Sequence, residues 1–193
     1  MKRIKILVVE DDRDCCLLIE HTLKSHTDLE IVGFCGTGEE AVRAAETERP
    51  DLVLMDLNLT GQELDGIEAA RKIRLGTDAR IVILTAYEEP ETVLHASVRA
   101  LASGYVVKSQ FAMLVPTIRQ TAEGPTPQSH MICAAILRTL SPAEQSVFRQ
   151  MMGQEAHIRS ARKTIANQQT SVLKKLDLTG RKELIHVFSI YNS

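Results

Sequence analysis

The chain has 193 residues, a net charge of −2 and a hydrophobic content of 44%. This length suits one domain of ordinary size with a smaller second one, and the apolar content is normal for a globular protein. No apolar run of about 20 residues and no signal peptide is found, so we expect a cytoplasmic protein without a membrane-inserted segment.

The first two thirds of the chain alternate short apolar runs with amphipathic segments. Five apolar runs predict β-strands, at residues 4–9, 29–34, 51–56, 80–85 and 104–108. Helices are predicted after each of them, near 13–25, 37–47, 65–74, 88–98 and 110–122. Strands that are apolar throughout are covered on both faces, as in a parallel sheet. The pattern therefore predicts an α/β domain with a flavodoxin-like, doubly wound five-stranded sheet of order 2-1-3-4-5.

The third predicted helix shows the helical period most clearly. Its apolar residues Ile67, Ala70 and Ile73 recur on one face, as in a helix packed against a sheet. We expect its basic residues on the opposite, solvated face: Arg71, Lys72 and Arg74.

Four predicted strands end in residues suited to phosphoryl chemistry: Glu10 and Asp11, Asp56, Thr85, and Lys108. Ligands of open parallel sheets bind at the carboxyl ends of the strands, so these side chains are expected to converge. Carboxylates with water and phosphate oxygens are the ligands that Mg²⁺ takes. A carboxylate is also able to act as a nucleophile and form an aspartyl phosphate, and Asp56 on the middle strand is the candidate.

Four sequence segments, VVEDD, LMDLNL, ILTAY and SGYVVKS, resemble the receiver domain of two-component response regulators, over residues 1 to about 122. The resemblance implies phosphorylation by a histidine kinase or a phosphotransfer protein, with Asp56 as phospho-acceptor. It implies a Mg²⁺ site formed by Glu10, Asp11, Asp56 and the Asn58 backbone carbonyl. It also implies a group that senses the phosphate, namely Thr85, the switch aromatic Tyr105 and Lys108.

Two features next to Asp56 bear on this resemblance. The segment LNLTGQEL before Asp65 is one or two residues longer than the family pattern. Phosphatases that use the same aspartate need an acid–base residue two positions later, where this chain has Asn58, whose amide is unable to transfer that proton. We therefore expect that the chain is not an enzyme.

The composition changes at residues 123–130, where glycine and two prolines indicate a linker. We predict a receiver domain at 1–122, a linker at 123–138 and a small helical domain at 139–193. The last segment carries eight Lys and Arg against four Asp and Glu. This excess of positive charge is typical of a domain that binds an anionic partner, most often nucleic acid.

The C-terminal segment resembles the helix-turn-helix of NarL/LuxR-type regulators at both ends. LSPAEQSVFRQMM is similar to that family's first helix, with a predicted capping box at Ser141 and Glu144. KTIANQQTSVLKKLDLTGRKELI is similar to its recognition helix and the turn that follows. The resemblance implies DNA contacts by Lys163, Thr164, Asn167, Gln168, Lys174 and Lys175.

The middle of this segment is about six residues shorter than the family pattern, at the position of the scaffold helix. A continuous helix through 155–176 is one interpretation of what remains. Two outputs are therefore open, a reduced DNA-binding domain that acts as a homodimer, or a helical domain that binds a protein or RNA.

Overall fold

A computed structural model describes residues 3–59, 65–154 and 161–191. By their internal contacts these residues form two compact units, which divide between Ile132 and Cys133. Each unit has its own hydrophobic core.

The first unit is built on a five-stranded parallel sheet. The strands are β1 (Ile4–Val9), β2 (Leu29–Cys35), β3 (Leu52–Asp56), β4 (Arg80–Thr85) and β5 (Gly104–Val107). Their order is β2-β1-β3-β4-β5, and all four pairings are parallel. The predicted fold class and strand order are confirmed, and every carboxyl strand end lies at one edge of the sheet.

Helices follow the strands as expected. They are α1 (Arg13–Lys24), α2 (Gly38–Glu48), α3 (Asp65–Gly76), α4 (Pro90–Ala100) and α5 (Leu114–Glu123), with a 3-10 segment at Lys108–Met113. One core cluster joins the β1 residues Ile6 and Val8 to Ile19 of α1 and Ile118 of α5. Packing on both faces explains why the central strands are mostly apolar.

Two helices of this unit end at a residue with left-handed backbone conformation that is not glycine. Arg49 follows α2 with φ 47°, and Leu101 follows α4 with φ 54°. This conformation brings a side chain close to its own carbonyl and is disfavoured for residues other than glycine.

The apolar face predicted for α3 is confirmed, but the prediction that Arg74 lies on the solvated face is wrong. Ile67, Ala70 and Ile73 are buried, and so is Arg74, which is 1% exposed. Its guanidinium donates to the Thr77 carbonyl just beyond the helix. Carbonyls at a helix C-terminus carry partial negative charge, so a basic side chain folds back over them instead of extending into solvent.

The predicted linker contains a helix, α6 (Pro127–Leu137). Thr126 and Ser129 begin it with reciprocal bonds, because each backbone N–H donates to the other residue's hydroxyl, at 2.7 and 3.1 Å. Proline is favoured in the first turn of a helix, where its missing N–H has no intrahelical partner to lose. Pro127 therefore begins a helix here, and the domain limits given above remain a prediction.

The second unit contains α7 (Pro142–Met151), α8 (Arg162–Leu176) and α9 (Arg181–Ser189). Its core includes Phe148 of α7 and Phe188 of α9, whose rings meet edge to face with centroids 4.9 Å apart. The predicted capping box at Ser141 and Glu144 is confirmed.

The scaffold position between α7 and α8 falls mainly on residues 155–160, outside the described residues. The part of the predicted continuous helix that is described begins at Arg162, because Ala161 is extended with ψ 148°. A helix unbroken from 155 to 176 is therefore wrong. None of the described helices combines the length and apolar character needed to cross a bilayer.

Candidate functional site

The predicted acidic residues meet at the carboxyl edge of the sheet. Glu10 follows β1 and Asp56 is the last residue of β3, and they are 4% and 6% exposed. Asp11 is exposed beside them. One carboxylate oxygen from each of the three lies within 4.8 Å of the others. The neighbouring Asp12 has a different task, since its side chain accepts from the Asp14 and Cys15 N–H groups and caps α1.

Lys108 joins two of these carboxylates. Its Nζ lies 2.8 Å from Asp56 Oδ2 and 2.7 Å from Glu10 Oε2. The lysine directly follows β5, so the ion pairs connect the ends of three strands, β1, β3 and β5. The sequence prediction that these residues converge is thus confirmed by the geometry.

Burial and charge oppose each other in this cluster. Burial raises the pKa of the Glu10 carboxyl, while the Lys108 ammonium acts to lower it. Burial alone lowers the pKa of Lys108, but its bonds to Asp56 and Glu10 outweigh this, and the net shift is upward. Lys108 is therefore held as a cation between the two carboxylates.

The three carboxylates form a donor set suited to a divalent metal ion. Hard cations such as Mg²⁺ take oxygen ligands, commonly with one or two carboxylates and the remainder from water and phosphate. Three acids against one lysine leave the cluster with a formal excess of negative charge. An oxygen-rich, electronegative site at a strand edge fits a dication of this kind.

The other predicted receiver residues lie on or just after strands β3, β4 and β5. Thr85, the last residue of β4, is buried, and its hydroxyl accepts from the Tyr87 N–H at 3.0 Å. The backbone N–H of Asn58 donates to Asp56 Oδ1 at 3.2 Å. Tyr105 lies half-buried on β5. The longer segment between Asp56 and Asp65 falls largely on residues 60–64, outside the described residues.

Gly66 supports the site in a way that the sequence reasoning missed. A Cβ at this position would lie 2.0 Å from the Asp56 carbonyl oxygen and 2.9 Å from Leu57 Cα. The first turn of α3 thus lies directly against the backbone that carries Asp56. The Asp65-Gly66 pair is visible in the sequence, but only the fold shows which backbone the glycine approaches.

In the second unit the residues predicted to contact DNA divide into two groups. Lys163, Thr164 and Asn167 are exposed in the first turns of α8, and Lys174 is exposed near its end. Gln168 is half-buried, and its Oε1 is buried without a hydrogen-bond partner in the part of the chain that the structure describes. Lys175 is paired within the unit, with its Nζ 2.7 Å from Glu144 Oε2.

Glu144 was predicted only as a helix cap, but it also holds α8. It accepts from the Ser141 N–H, the Ser171 hydroxyl and the Lys175 ammonium, each at 2.7 Å. These bonds, that to Lys175 first, lower the pKa of Glu144 to about 2. One carboxylate therefore connects the start of α7 to the last turns of α8.

Comparison with known proteins identifies the family of the first unit. The response regulator receiver domain model matches residues 6–119, which is more than half of the chain. A solved two-component response regulator of the LuxR family from Aurantimonas sp. SI85-9A1 shares 32% identity with a TM-score of 0.59. That likeness covers 71% of this chain and 97% of the solved one.

Two curated relatives extend the comparison. The transcriptional regulatory protein LiaR of Bacillus subtilis is 28% identical over 203 residues, covering 93% of this chain and 94% of LiaR. Since that alignment is longer than the 193 residues of this chain, LiaR has residues without a counterpart here. The response regulator VraR of Staphylococcus aureus is 32% identical over 123 residues, and this chain covers 57% of its length. Both names are those of regulators, in agreement with the expectation that the chain is not an enzyme.

Proposed function

We propose that this chain, which belongs to the response regulator receiver domain family, is a two-component regulator. Phosphorylation of Asp56 is the step that switches it. The observation that carries the proposal is the pairing of Lys108 with Asp56 and Glu10 at the shared edge of the sheet. A carboxylate that is almost buried, acidic neighbours and a single ammonium are the groups that an acceptor of a phosphoryl group requires.

The reaction is a transfer of one phosphoryl group. An Asp56 carboxylate oxygen forms the new O–P bond while the P–N bond of a phosphohistidine donor breaks, and the imidazole leaves with the electron pair. Lys108 is held beside the attacking carboxylate at 2.8 Å and stabilises the negative charge of the phosphoryl oxygens once the bond has formed. The Thr85 hydroxyl lies at the end of the adjacent strand and donates to the same oxygens.

Mg²⁺ is the cofactor that fits the acidic cluster. Glu10, Asp11, Asp56 and the Asn58 backbone carbonyl would hold it, and it would supply positive charge for the transferring group. The carboxylates in turn keep the site hydrophilic and orient the Asp56 side chain by charge.

Phosphorylation is tested by incubating the protein with acetyl phosphate and Mg²⁺ and measuring its intact mass. We expect one added phosphoryl group that is absent from Asp56→Asn. Asp14→Asn is the matched control, because Asp14 is an exposed aspartate in the first turn of α1. Equal labelling of the wild type and Asp56→Asn would contradict the assignment.

For the output we propose DNA binding by α8 and regulation of transcription. The exposed Lys163, Thr164 and Asn167 lie close together on that helix, and the segment from residue 139 onward has an excess of four positive charges. Helix side chains of this kind read base edges in the major groove, and lysines bind the phosphates. Similarity to LiaR over most of both chains favours this output.

The output is tested by selection of duplexes from random DNA, with the phosphorylated protein and with Asp56→Ala. An enriched motif whose binding is tightened by phosphorylation supports a transcription regulator. Lys163→Met is expected to weaken binding and reduce its salt dependence, whereas Lys182→Met on α9 is the control. A lack of enrichment despite confirmed phosphorylation favours the alternative, a protein or RNA partner.

The remaining assignments follow from the same reaction. The phosphoryl donor is a histidine kinase or a phosphotransfer protein, and the reaction takes place in the cytoplasm. A homodimer is the expected active form on DNA, because helix-turn-helix proteins commonly bind paired half-sites. Sedimentation with and without phosphorylation tests this assembly.

A further inference from the structure

The outer edge of β5 is occupied by the side chain of Gln128, from the first turn of α6. The Tyr105 N–H donates to Gln128 Oε1 at 3.1 Å, and Gln128 Nε2 donates to the Tyr105 carbonyl at 3.2 Å. β5 is the last strand of the sheet, so no strand among the described residues pairs with this edge. The glutamine amide thus takes the place that a neighbouring strand would take.

The surroundings are shaped for this side chain. A Cβ on Gly104 would lie 2.8 Å from Gln128 Oε1, so glycine at the start of β5 leaves room for the amide. The reciprocal bonds between Thr126 and Ser129, both buried, hold the first turn of α6 from which Gln128 extends. A long side chain on a fixed helix turn loses less entropy when it is ordered than one on an irregular segment.

The same strand leads directly into the acidic site. Tyr105 lies three residues before Lys108, and β5 has only four residues. A displacement of the Tyr105 backbone therefore moves the lysine that pairs with Asp56 and Glu10. In the structure the bonds of Gln128 to Tyr105 and the ion pairs of Lys108 with Asp56 and Glu10 are present together.

We infer that Gln128 is a positioning residue that couples the first turn of α6 to the phosphorylation of Asp56 through β5. The inference rests on the proposed function. When the phosphoryl group draws Lys108 away from its resting partners, β5 shifts and the bonds between Gln128 and Tyr105 are lost. Coupling of this kind is reciprocal, so loss of the Gln128 bonds favours the phosphorylated state.

A purely structural role would have a different signature. An amide that only covers a sheet edge would protect the strand equally in both states. A coupling residue protects the strand in the resting state and releases it in the phosphorylated state. The comparison between states, and not stability alone, separates the two.

The experiment uses the full chain with beryllofluoride and Mg²⁺, since beryllofluoride on a carboxylate is a stable mimic of a phosphoryl group. Binding is followed by ¹⁹F NMR, and amide hydrogen exchange is followed at Tyr105 and in the first turn of α6. The variants are Gln128→Met, which removes both bonds at similar size, and Gln128→Glu, which retains only the bond from the Tyr105 N–H. Gly104→Ala displaces the amide from the strand side, and Gln120→Met is the control for an exposed glutamine of α5.

In the wild type, beryllofluoride is expected to speed exchange at Tyr105 and in the first turn of α6 by about fivefold, the low end of measured coupling between sites. In Gln128→Met, amide exchange at both places is already fast before beryllofluoride is added. Beryllofluoride binds to this variant more tightly than to the wild type, by about the same factor. Gly104→Ala behaves like Gln128→Met, Gln128→Glu is intermediate, and Gln120→Met matches the wild type.

Two results would overturn the inference, and they are distinct. Equal beryllofluoride affinity in the wild type, Gln128→Met and Gly104→Ala, with the exchange response of α6 unchanged, overturns the coupling and leaves the proposed function standing. A wild type that binds no beryllofluoride and accepts no phosphoryl group overturns the proposed function, and the coupling with it.

Discussion

Replacement of Lys108 by methionine should destabilise the first unit in a manner that depends on pH. The change keeps an unbranched side chain of similar length and removes the charge between Glu10 and Asp56, which are nearly buried. Breaking a buried ion pair costs about 3–5 kcal/mol, because the remaining charge is left uncompensated. With a lysine side chain that is 26% exposed, we expect the lower end, about 3 kcal/mol near pH 8.

The pH dependence follows from Glu10. Burial already raises the pKa of its carboxyl, and loss of Lys108 removes the ammonium that acts against that shift. A carboxyl whose pKa is higher in the folded state favours folding when protonated, and this contribution is lost as the pH rises through the folded pKa. The loss of stability caused by Lys108→Met should therefore be smaller at pH 5 than at pH 8.

Native-state hydrogen exchange of the β1 and β3 amides measures the stability of this unit separately from the second one. Lys24→Met is the matched control, since Lys24 forms an exposed pair with Glu20 on α1 at 2.8 Å and should cost less than about 0.5 kcal/mol. Added Mg²⁺ should restore part of the stability of Lys108→Met, because a dication replaces the missing charge. An equal loss at both pH values would refute the electrostatic reasoning and indicate lost packing instead.

Three further outcomes are expected. Gly66→Ala should slow phosphorylation by acetyl phosphate by about a hundredfold, because a 1 Å shift of reacting groups has effects of this order. Gly76→Ala in the same helix should match the wild type, because a Cβ there would have no described atom outside the helix backbone within 4 Å. Glu144→Gln should remove a stabilisation of the second unit that is present above pH 4.5 and is lost as the pH falls toward about 2, as measured by hydrogen exchange of α7 and α8. Burial, followed by a bond to Glu10, raises the pKa of Cys15 to about 12, so mass spectrometry should show slow alkylation by iodoacetamide at pH 8 in the folded protein and rapid alkylation in urea.

Most of the first unit was predictable because each of its local signals agrees with the global fold. The apolar runs predict all five strands within one residue at each end, since strands covered on both faces are rich in apolar side chains. The strand-end residues Glu10, Asp56 and Lys108 could be placed together from topology alone, because parallel strands end at the same edge.

The missed features depend on contacts between residues distant in sequence or on the direction of a side chain. Arg74 has the spacing of an exposed residue, yet its guanidinium turns toward the end of its own helix. Pro127 was read as a break in helical structure, although Thr126 before it and Ser129 after it form a helix start. The role of Glu144 in holding α8 requires Lys175 to lie opposite, and no local pattern gives that position.

The left-handed residues that end α2 and α4 have a consequence for how this protein tolerates change. Each costs about 1–2 kcal/mol that glycine at the same position would not incur. At Leu101 the side chain is buried and contributes packing in return, whereas the Arg49 side chain is exposed. Replacing Arg49 by glycine would thus raise the free energy of unfolding, at a position on the opposite end of the sheet from the acidic cluster. A single substitution there would let the protein absorb destabilising mutations elsewhere while its signalling chemistry stays intact.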